Sequence, residues 1–568
     1  MPNNESKIIG KVTATENKPT TCTAVYFWLH HDVIVRPFDI VRIEHIPKDK
    51  NSNSPSYSFA LVKELSYITD SAGHLANYVS SDFGDVGARE INKRLGTTIA
   101  EAEILGNSEN IEMPIRDGAV VEWAGADEIR TALGVDKLKY PIPAGYMETS
   151  RGDEISIDFE ARYLVGPEAG HLNISGISGL ASKTSYAMFL LNALQQRMQD
   201  EVSIILFNVK GPDLLAVDRS NDDLTEPQKA EWQKCGLEPC PLENVTYFYP
   251  YAKDRQEIFT DSQVPPHIIQ AQIEAKRAFN YYYDVDTFKG GEEGNETDVG
   301  RDKLGLLFSD IDDPQSTMES CIHALGEIEA ETWDGLREEI EAKTAAGQPG
   351  NKKDISVQSW RKFNRIIRTR TDHSLFVEKR IQKDHRQRLL MDGIKSLRPG
   401  KVLVIDIAPL PDYLQCLVFG DVIRTVFDAK LGLYSNVKRD FLGKVVVFAD
   451  ELNKYAPSSS GGSRDRTLTR WLLEVTERGR SLGVILFGAE QFRSDIHNRV
   501  LGNCATNVYG RTNPVELSKG ADYRFFSSSN KSSITRMRQG EMLLQHSVFH
   551  TSLIKARFPF PAYEQLTK

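Results

Sequence analysis

The segment from His171 to Met198 constrains this chain more than any other. HLNIS reads as a buried strand, SGISGLASKTS as a glycine-bearing turn, and SYAMFLLNALQQRMQ as the amphipathic helix that follows. A strand that runs through a glycine-rich turn into a helix places successive backbone N–H groups at the positive end of the helix dipole. That is what an oligophosphate needs. Gly176, Gly179, Ala181, Ser182, Lys183, Thr184 and Ser185 are therefore the expected phosphate-contacting residues. Lys183 is placed to reach the β- and γ-phosphates of a nucleotide, and the Thr184 hydroxyl to ligate Mg²⁺. The spelling departs from G-x-x-x-x-G-K-[ST]: Ser182 stands where the last glycine is expected, and Gly176 lies seven residues before Lys183 rather than six. Taken alone, the segment also reads as a Ser/Gly-rich turn with an incidental lysine.

A second segment, KVVVFADELNKYAP, argues against coincidence. Its apolar run ends in Asp450 and Glu451, and a buried strand ending in two carboxylates is what a phosphate loop requires as a neighbour. Asp450 is the expected metal-shell ligand, and Glu451 the residue that orients and polarises an attacking water. The alternative is an acidic strand-to-loop turn without catalytic use. Further along, Arg478 and Arg480 close a helix, Gln491 ends the strand GVILFGAEQ, and Arg511 ends another. An arginine supplied across a subunit interface stabilises the charge of phosphoryl transfer, and Gln491 is a candidate reporter of the γ-phosphate. Each arginine singly also reads as a surface salt-bridge partner.

The rest of the chain sets the frame. With 568 residues, two or three domains are expected. Short alternating strands up to about Val121 (KIIGKVTAT, TAVYFWL, VIVRPFDIVRIEHI, YSFALVKELSYI, AVVEWAG) predict a β-barrel or sandwich over 1–140. An α/β core is expected over 141–255 and 400–568, with further strands at KVLVIDIA and the segments above. Residues 256–399 carry little strand signal and predict a helical insertion. Within it, Asn351–Lys401 holds fifteen Lys/Arg against five Asp/Glu, making it the DNA-binding candidate by composition. The same basic residues alternatively pair with the acidic run Glu327–Glu341. A net charge of −10 excludes a protein that coats nucleic acid with its whole surface. Six scattered cysteines, the lack of an 18-residue apolar run and a start without a signal-peptide pattern predict a cytoplasmic chain with no membrane span. Cys235 and Cys240 read as free thiols rather than half of a zinc site.

Taken together, GKVTAT and FDIVRIEHI near the start, KVLVIDIAPLPDYLQCLVFGDVIRTVF, ADELNKYAP, GRSLGVILFGAEQ and the segment from Gln539 to Glu541 resemble the HerA branch of the HerA/FtsK ATPases over most of the chain. The resemblance implies a RecA-like P-loop ATPase domain with a helical insertion, preceded by a small N-terminal β-barrel. It also implies a homo-hexameric ring using ATP and Mg²⁺, with double-stranded DNA in its pore and a nuclease as partner. By motif, Lys183 and Thr184 inherit the nucleotide and magnesium roles, Asp450 and Glu451 the acidic pair, Gln491 the sensor, and Arg480 or Arg478 the trans arginine. Such chains are often encoded with antiphage effectors. The expectation is therefore a DNA translocase working with a nuclease or NAD-consuming effector in antiviral defence. The alternative is an ATP-gated scaffold that assembles an effector with little translocation. A phosphate-transferring small-molecule kinase ranks below both.

Overall fold

The computed structural model describes residues 8–49, 54–80, 82–85, 87, 95–177, 179, 182–255, 257–289, 303–311, 316–344, 355–381, 386–434, 443–458 and 467–566. It divides into two compact units.

The first unit comprises 1–159 with 526–533 and 543–557. Its first six strands are β1 (Ile8–Val12), β2 (Ala24–Leu29), β3 (Ile40–His45), β4 (Ser56–Thr69), β5 (Gly96–Asn107) and β6 (Val120–Trp123). They close into a barrel in the order β1-β2-β5-β4-β3-β6. Alternation with period two turns Ile9, Val25, Phe27, Val41, Ile43, Ala60, Ala100, Ala102 and Val121 into a shared interior. Gly10 is required for closure, because a Cβ there would lie 2.0 Å from the Trp28 carbonyl oxygen on β2. The sequence reading overlooked β5 and extended β3 too far, since 33–39 forms no strand. The same unit contains β7 (Pro141–Glu148), β8 (Glu154–Glu160) and β18 (Ile554–Arg557), with β18 antiparallel to β7.

The second unit is built on a parallel sheet. In spatial order its strands are β13 (Gln387–Arg388), β12 (Ala278–Tyr281), β11 (Val245–Pro250), β14 (Val402–Asp406), β10 (Val202–Asn208), β15 (Lys444–Asp450), β16 (Val484–Glu490), β9 (Leu172–Ser175) and β17 (Thr506–Tyr509). The central strands β10 and β16 are buried at every position, as expected for parallel strands covered on both faces. Helix Lys183–Met198 packs through Tyr186 and Phe189 against Phe558 and Trp232. Helix Asp412–Leu431 is buried almost throughout and contributes Leu414, Phe419, Ile423 and Val426 to an extended core cluster. The chain is thus a mixed α/β protein with a large sheet and a closed N-terminal barrel.

The stretch read as helical does hold helices Thr317–Leu325, Trp333–Ala342 and Val357–Arg370, but strands β12 and β13 also lie within it, at the sheet edge. Ser356 caps the last of these helices by accepting the Ser359 N–H at 3.1 Å. Its apolar stripe of Trp360, Phe363 and Ile367 is buried. Two of its basic residues have acidic partners, Arg368 with Glu341 and Arg370 with Asp310 at 2.6 Å, while Arg361, Lys362 and Arg365 are exposed. No helix among the described residues is long and apolar enough to cross a membrane.

Candidate functional site

The C-terminal ends of β9, β10, β15 and β16 meet around a cavity of about 360 Å³ lined by Lys183, Thr184, Lys210, Asp213, Asp450 and Gln491, among others. That volume is within the range of small-molecule sites. The two motifs, more than 260 residues apart in sequence, come together because β16 inserts between their strands and pairs in parallel with both β15 and β9.

The loop after β9 is tied at its base on two sides. The Gly176 N–H donates to the Glu490 carbonyl at 3.1 Å, and the Ile177 N–H donates to the Arg511 carbonyl at 2.8 Å. Gly179 has φ +79°, which favours glycine. Ser182 has φ 47° and ψ 38°, the left-handed region, at the residue immediately before the helix. A conformation that a glycine adopts at little cost is therefore imposed on a serine, at roughly 1 kcal/mol. Ala181 lies outside the described residues. Ser185 and Ser182 line the cavity with Gly179.

Lys183 is 7% exposed and its ammonium donates to the Gly176 carbonyl at 2.8 Å, folding back over the loop. Burial pushes its pKa below the ordinary lysine value, opposed by the nearby Asp450 and Glu490 carboxylates. The Thr184 hydroxyl lies 3.5 Å from Asp450 Oδ2. Two hard oxygen donors at this separation suit one Mg²⁺, whose adjacent ligands at 2.0–2.1 Å stand about 3 Å apart. Burial raises the Asp450 pKa, and Lys183 lowers it in turn. The donor set therefore fits the metal the sequence implied. Asp450 Oδ1 also accepts the Glu451 N–H at 2.9 Å, while Glu451 has φ 56° and holds an ion pair to Lys210.

The arginines are distributed differently. Arg511 follows β17 at the nucleotide end of the sheet, and its carbonyl anchors the loop. Arg480 sits in the last turn of helix Thr467–Leu482 and Arg478 immediately ahead of that turn, shortly before β16 begins. A strand of seven residues is about 23 Å long. These two side chains therefore lie at the opposite edge of the sheet from the cavity of their own chain. Arg478 pairs with Glu474 at 3.1 Å, and Arg480 donates to the Glu168 carbonyl at 2.9 Å.

Several residues here escaped the sequence reading. Lys210 and Asp213 follow β10 on a turn held by Asn208, whose amide donates to Gly211 O and to Asp406 Oδ1, both at 2.8 Å. Asp406 is wholly buried, and burial pushes its pKa up to about 6. Gln539 and Gln565 line the cavity from the C-terminal segment. Beneath the loop, Glu490 is fully buried, accepts from Asn173 at 2.9 Å, and is pushed up to about 8 by desolvation. Its neighbour Arg493 bonds to Asn173 and to Asp522, the latter at 2.6 Å. The phrase FGAEQFR carried the signal, since a Glu and an Arg beside an all-apolar strand have to be paired.

No family model and no curated protein sequence matches the chain. Among solved structures it is similar to the bacterial conjugative coupling protein TrwBdeltaN70 (12% identity over 74% of this chain and 90% of that one, TM-score 0.42). It is also similar to VirB4 of Thermoanaerobacter pseudethanolicus (12%, 74% and 97%, TM-score 0.40) and to the plasmid coupling protein TrwB in complex with ADP and Mg²⁺ (11%, 70% and 87%, TM-score 0.41). These are distant likenesses.

Proposed function

We propose that this chain is an ATP-hydrolysing subunit of a HerA/FtsK-type ring motor that acts on duplex DNA. The observation that carries the reading is the convergence of Lys183, Thr184 and Asp450 on one cavity at the C-terminal edge of a parallel sheet, with Glu451 tied to the cavity-lining Lys210. Lys183 and the loop N–H groups would hold the phosphates, and Thr184 and Asp450 would hold Mg²⁺. Glu451 would orient water in line with the terminal phosphate and take its proton. Magnesium supplies charge neutralisation across the β- and γ-phosphates when bound. Gln491 lines the same cavity and is the group able to report a terminal phosphate by its amide.

Arg478 and Arg480 face away from their own nucleotide, so a role in transfer requires a neighbouring subunit. This supports a homo-oligomer, with a hexamer drawn from the family resemblance. Exposed Arg361, Lys362 and Arg365 are the DNA candidates outside the barrel. In this reading the barrel (1–140) and the insertion (256–399) supply partner and DNA contacts for the ATPase core (141–255 and 400–568). A nuclease or NAD-consuming effector in antiviral defence would be the partner, in the cytoplasm. The second reading is an ATP-gated scaffold with slow turnover, favoured by the ion pair that occupies Glu451.

The test is steady-state ATP hydrolysis with and without linear duplex DNA, beside particle mass by light scattering. DNA-stimulated turnover in a ring-sized particle, lost in Glu451→Gln, supports the motor. Feeble, DNA-indifferent turnover in a ring shifts the assignment to the scaffold, and wild-type turnover by Glu451→Gln refutes the catalytic assignment.

A further inference from the structure

The ion pair between Lys210 and Glu451 bears on how the proposed hydrolysis is controlled, and its role rests on that reading of the site. Glu451 is aimed by its backbone: its left-handed φ of 56° and its N–H bond to Asp450 Oδ1 fix where the side chain starts. Its carboxylate is then held by the Lys210 ammonium. Lys210 has a fixed base and a mobile tip. Its backbone lies in the turn that Asn208 clamps between Gly211 and the buried Asp406, and Gly211 itself has φ +58°. Its side chain, by contrast, is 53% exposed on a flexible four-carbon stem. The same lysine lines the phosphate cavity with Lys183 and Thr184.

A single ammonium therefore stands within reach of two anions that do not compete until a nucleotide arrives. A terminal phosphate carries more charge and more acceptor oxygens than one carboxylate, and both compete for the same three N–H donors. We infer that Lys210 is a positioning residue that restrains Glu451 in the nucleotide-free site and passes its ammonium to the terminal phosphate when a nucleoside triphosphate binds, releasing the carboxylate. Glu451 is then free to orient water only when there is a phosphate to attack. A diphosphate lacks the group that draws Lys210 away, so the restraint returns after hydrolysis.

The experiment is calorimetric binding of ADP and of a β,γ-imido ATP analogue, each with Mg²⁺. The full-length proteins are wild type, Lys210→Ala, Glu451→Gln and the double variant. Lys210→Ala should weaken the analogue about tenfold and ADP less than about twofold. Glu451→Gln should tighten the analogue, because repulsion of phosphate disappears and because Lys210 no longer has a partner to leave. Only the second effect needs the lysine. The tightening should therefore be about fivefold greater with Lys210 present than in the Lys210→Ala background, as expected for a half-exposed ion pair near the upper end of its usual strength. Equal losses for ADP and analogue would make Lys210 merely structural and overturn the inference. So would additive effects of the two substitutions. Wild-type protein that binds neither nucleotide would instead sink the reading of the site itself. Retained ADP binding in each variant shows that the fold is intact.

Discussion

Glu490→Gln is expected to make this protein more stable as pH rises, relative to the parent chain. Glu490 ends β16 with no exposed surface, and its Oε2 accepts from Asn173 while Oε1 has no hydrogen-bond partner. The groups around it are Arg493, Lys183 and Asp450, and Arg493 is itself committed to Asp522 and Asn173. Desolvation wins, and the carboxyl is pushed up to about 8 from an ordinary value of 4.5. Below about pH 4.5 the group is protonated in both the folded and the unfolded chain, so it imposes no pH-dependent cost. Between 4.5 and 8 the unfolded chain releases the proton and the folded chain keeps it, so stability falls by about 1.4 kcal/mol per pH unit, levelling off above 8. Gln carries no such titration. It keeps the acceptor for Asn173, and a second amide donor without a partner subtracts roughly 1 kcal/mol at every pH. The slope is therefore the test. Urea unfolding of both proteins at pH 5.5, 6.5 and 7.5 should show the variant gaining on the parent by roughly 2 to 3 kcal/mol across the range. A difference that stays flat with pH would refute the assignment of a buried, protonated Glu490.

Ser182→Gly should retain nucleotide affinity, because the left-handed backbone there suits glycine, whereas Ser182→Val should lose about tenfold in a binding titration, a β-branched side chain being strained at φ 47°. Asn208→Ala should cost about 2 kcal/mol in chemical denaturation. Its cost should grow above about pH 6, since removing a donor raises the already elevated Asp406 pKa further and the penalty for ionising it appears only as pH climbs. Arg478→Ala and Arg480→Ala should each leave the melting temperature nearly unchanged, because Arg478 spends its charge on an exposed pair and Arg480 on one surface carbonyl. Whichever acts in trans should lose at least a hundredfold in hydrolysis and should regain part of it when mixed with Lys183→Ala subunits. A mixture no more active than its components would remove that arginine from the mechanism.

What could be read from the sequence was set by the period of its apolar residues. Strands β10, β14, β15 and β16 are runs of Val, Ile, Leu and Phe, so the acidic half of the site was visible at the end of β15, while the phosphate loop after the short β9 showed through its glycines and the helix that follows. Strand β5 was not, because TIAEAEIL is built from good helix formers. It becomes a strand because Ala100 and Ala102 turn into the barrel core while β2 and β4 pair with it on either side, tertiary context overriding local propensity. Strands β11 and β12 were hidden by their tyrosines. Tyr249 and Tyr281 are fully buried yet donate to Gln272 and to the Asp406 carbonyl at 2.7 and 2.8 Å, partners distant in sequence that no local pattern announces. Lys210 and Glu490 escaped for a related reason: a lone charged residue beside a strand has no chemistry until the fold supplies its neighbour.

The arginines show how far a strand can separate two functions. β16 is wholly buried and hydrogen-bonded along its length, to β15 across Val484–Ala489 and to β9 across Phe487–Glu490. Slipping it by one residue would break both ladders and reverse every side chain, so it moves as a rod or not at all. Gln491 and the Glu490 carbonyl that anchors Gly176 stand at one end, and Arg480 precedes the other in the last turn of helix Thr467–Leu482, which only Gly483 separates from the strand. Gln491 and Arg480 are thus held apart by at least the length of β16, about 23 Å, whichever roles they take. In a ring of such chains, one subunit's arginine position is therefore set by the same strand that lines its own nucleotide cavity.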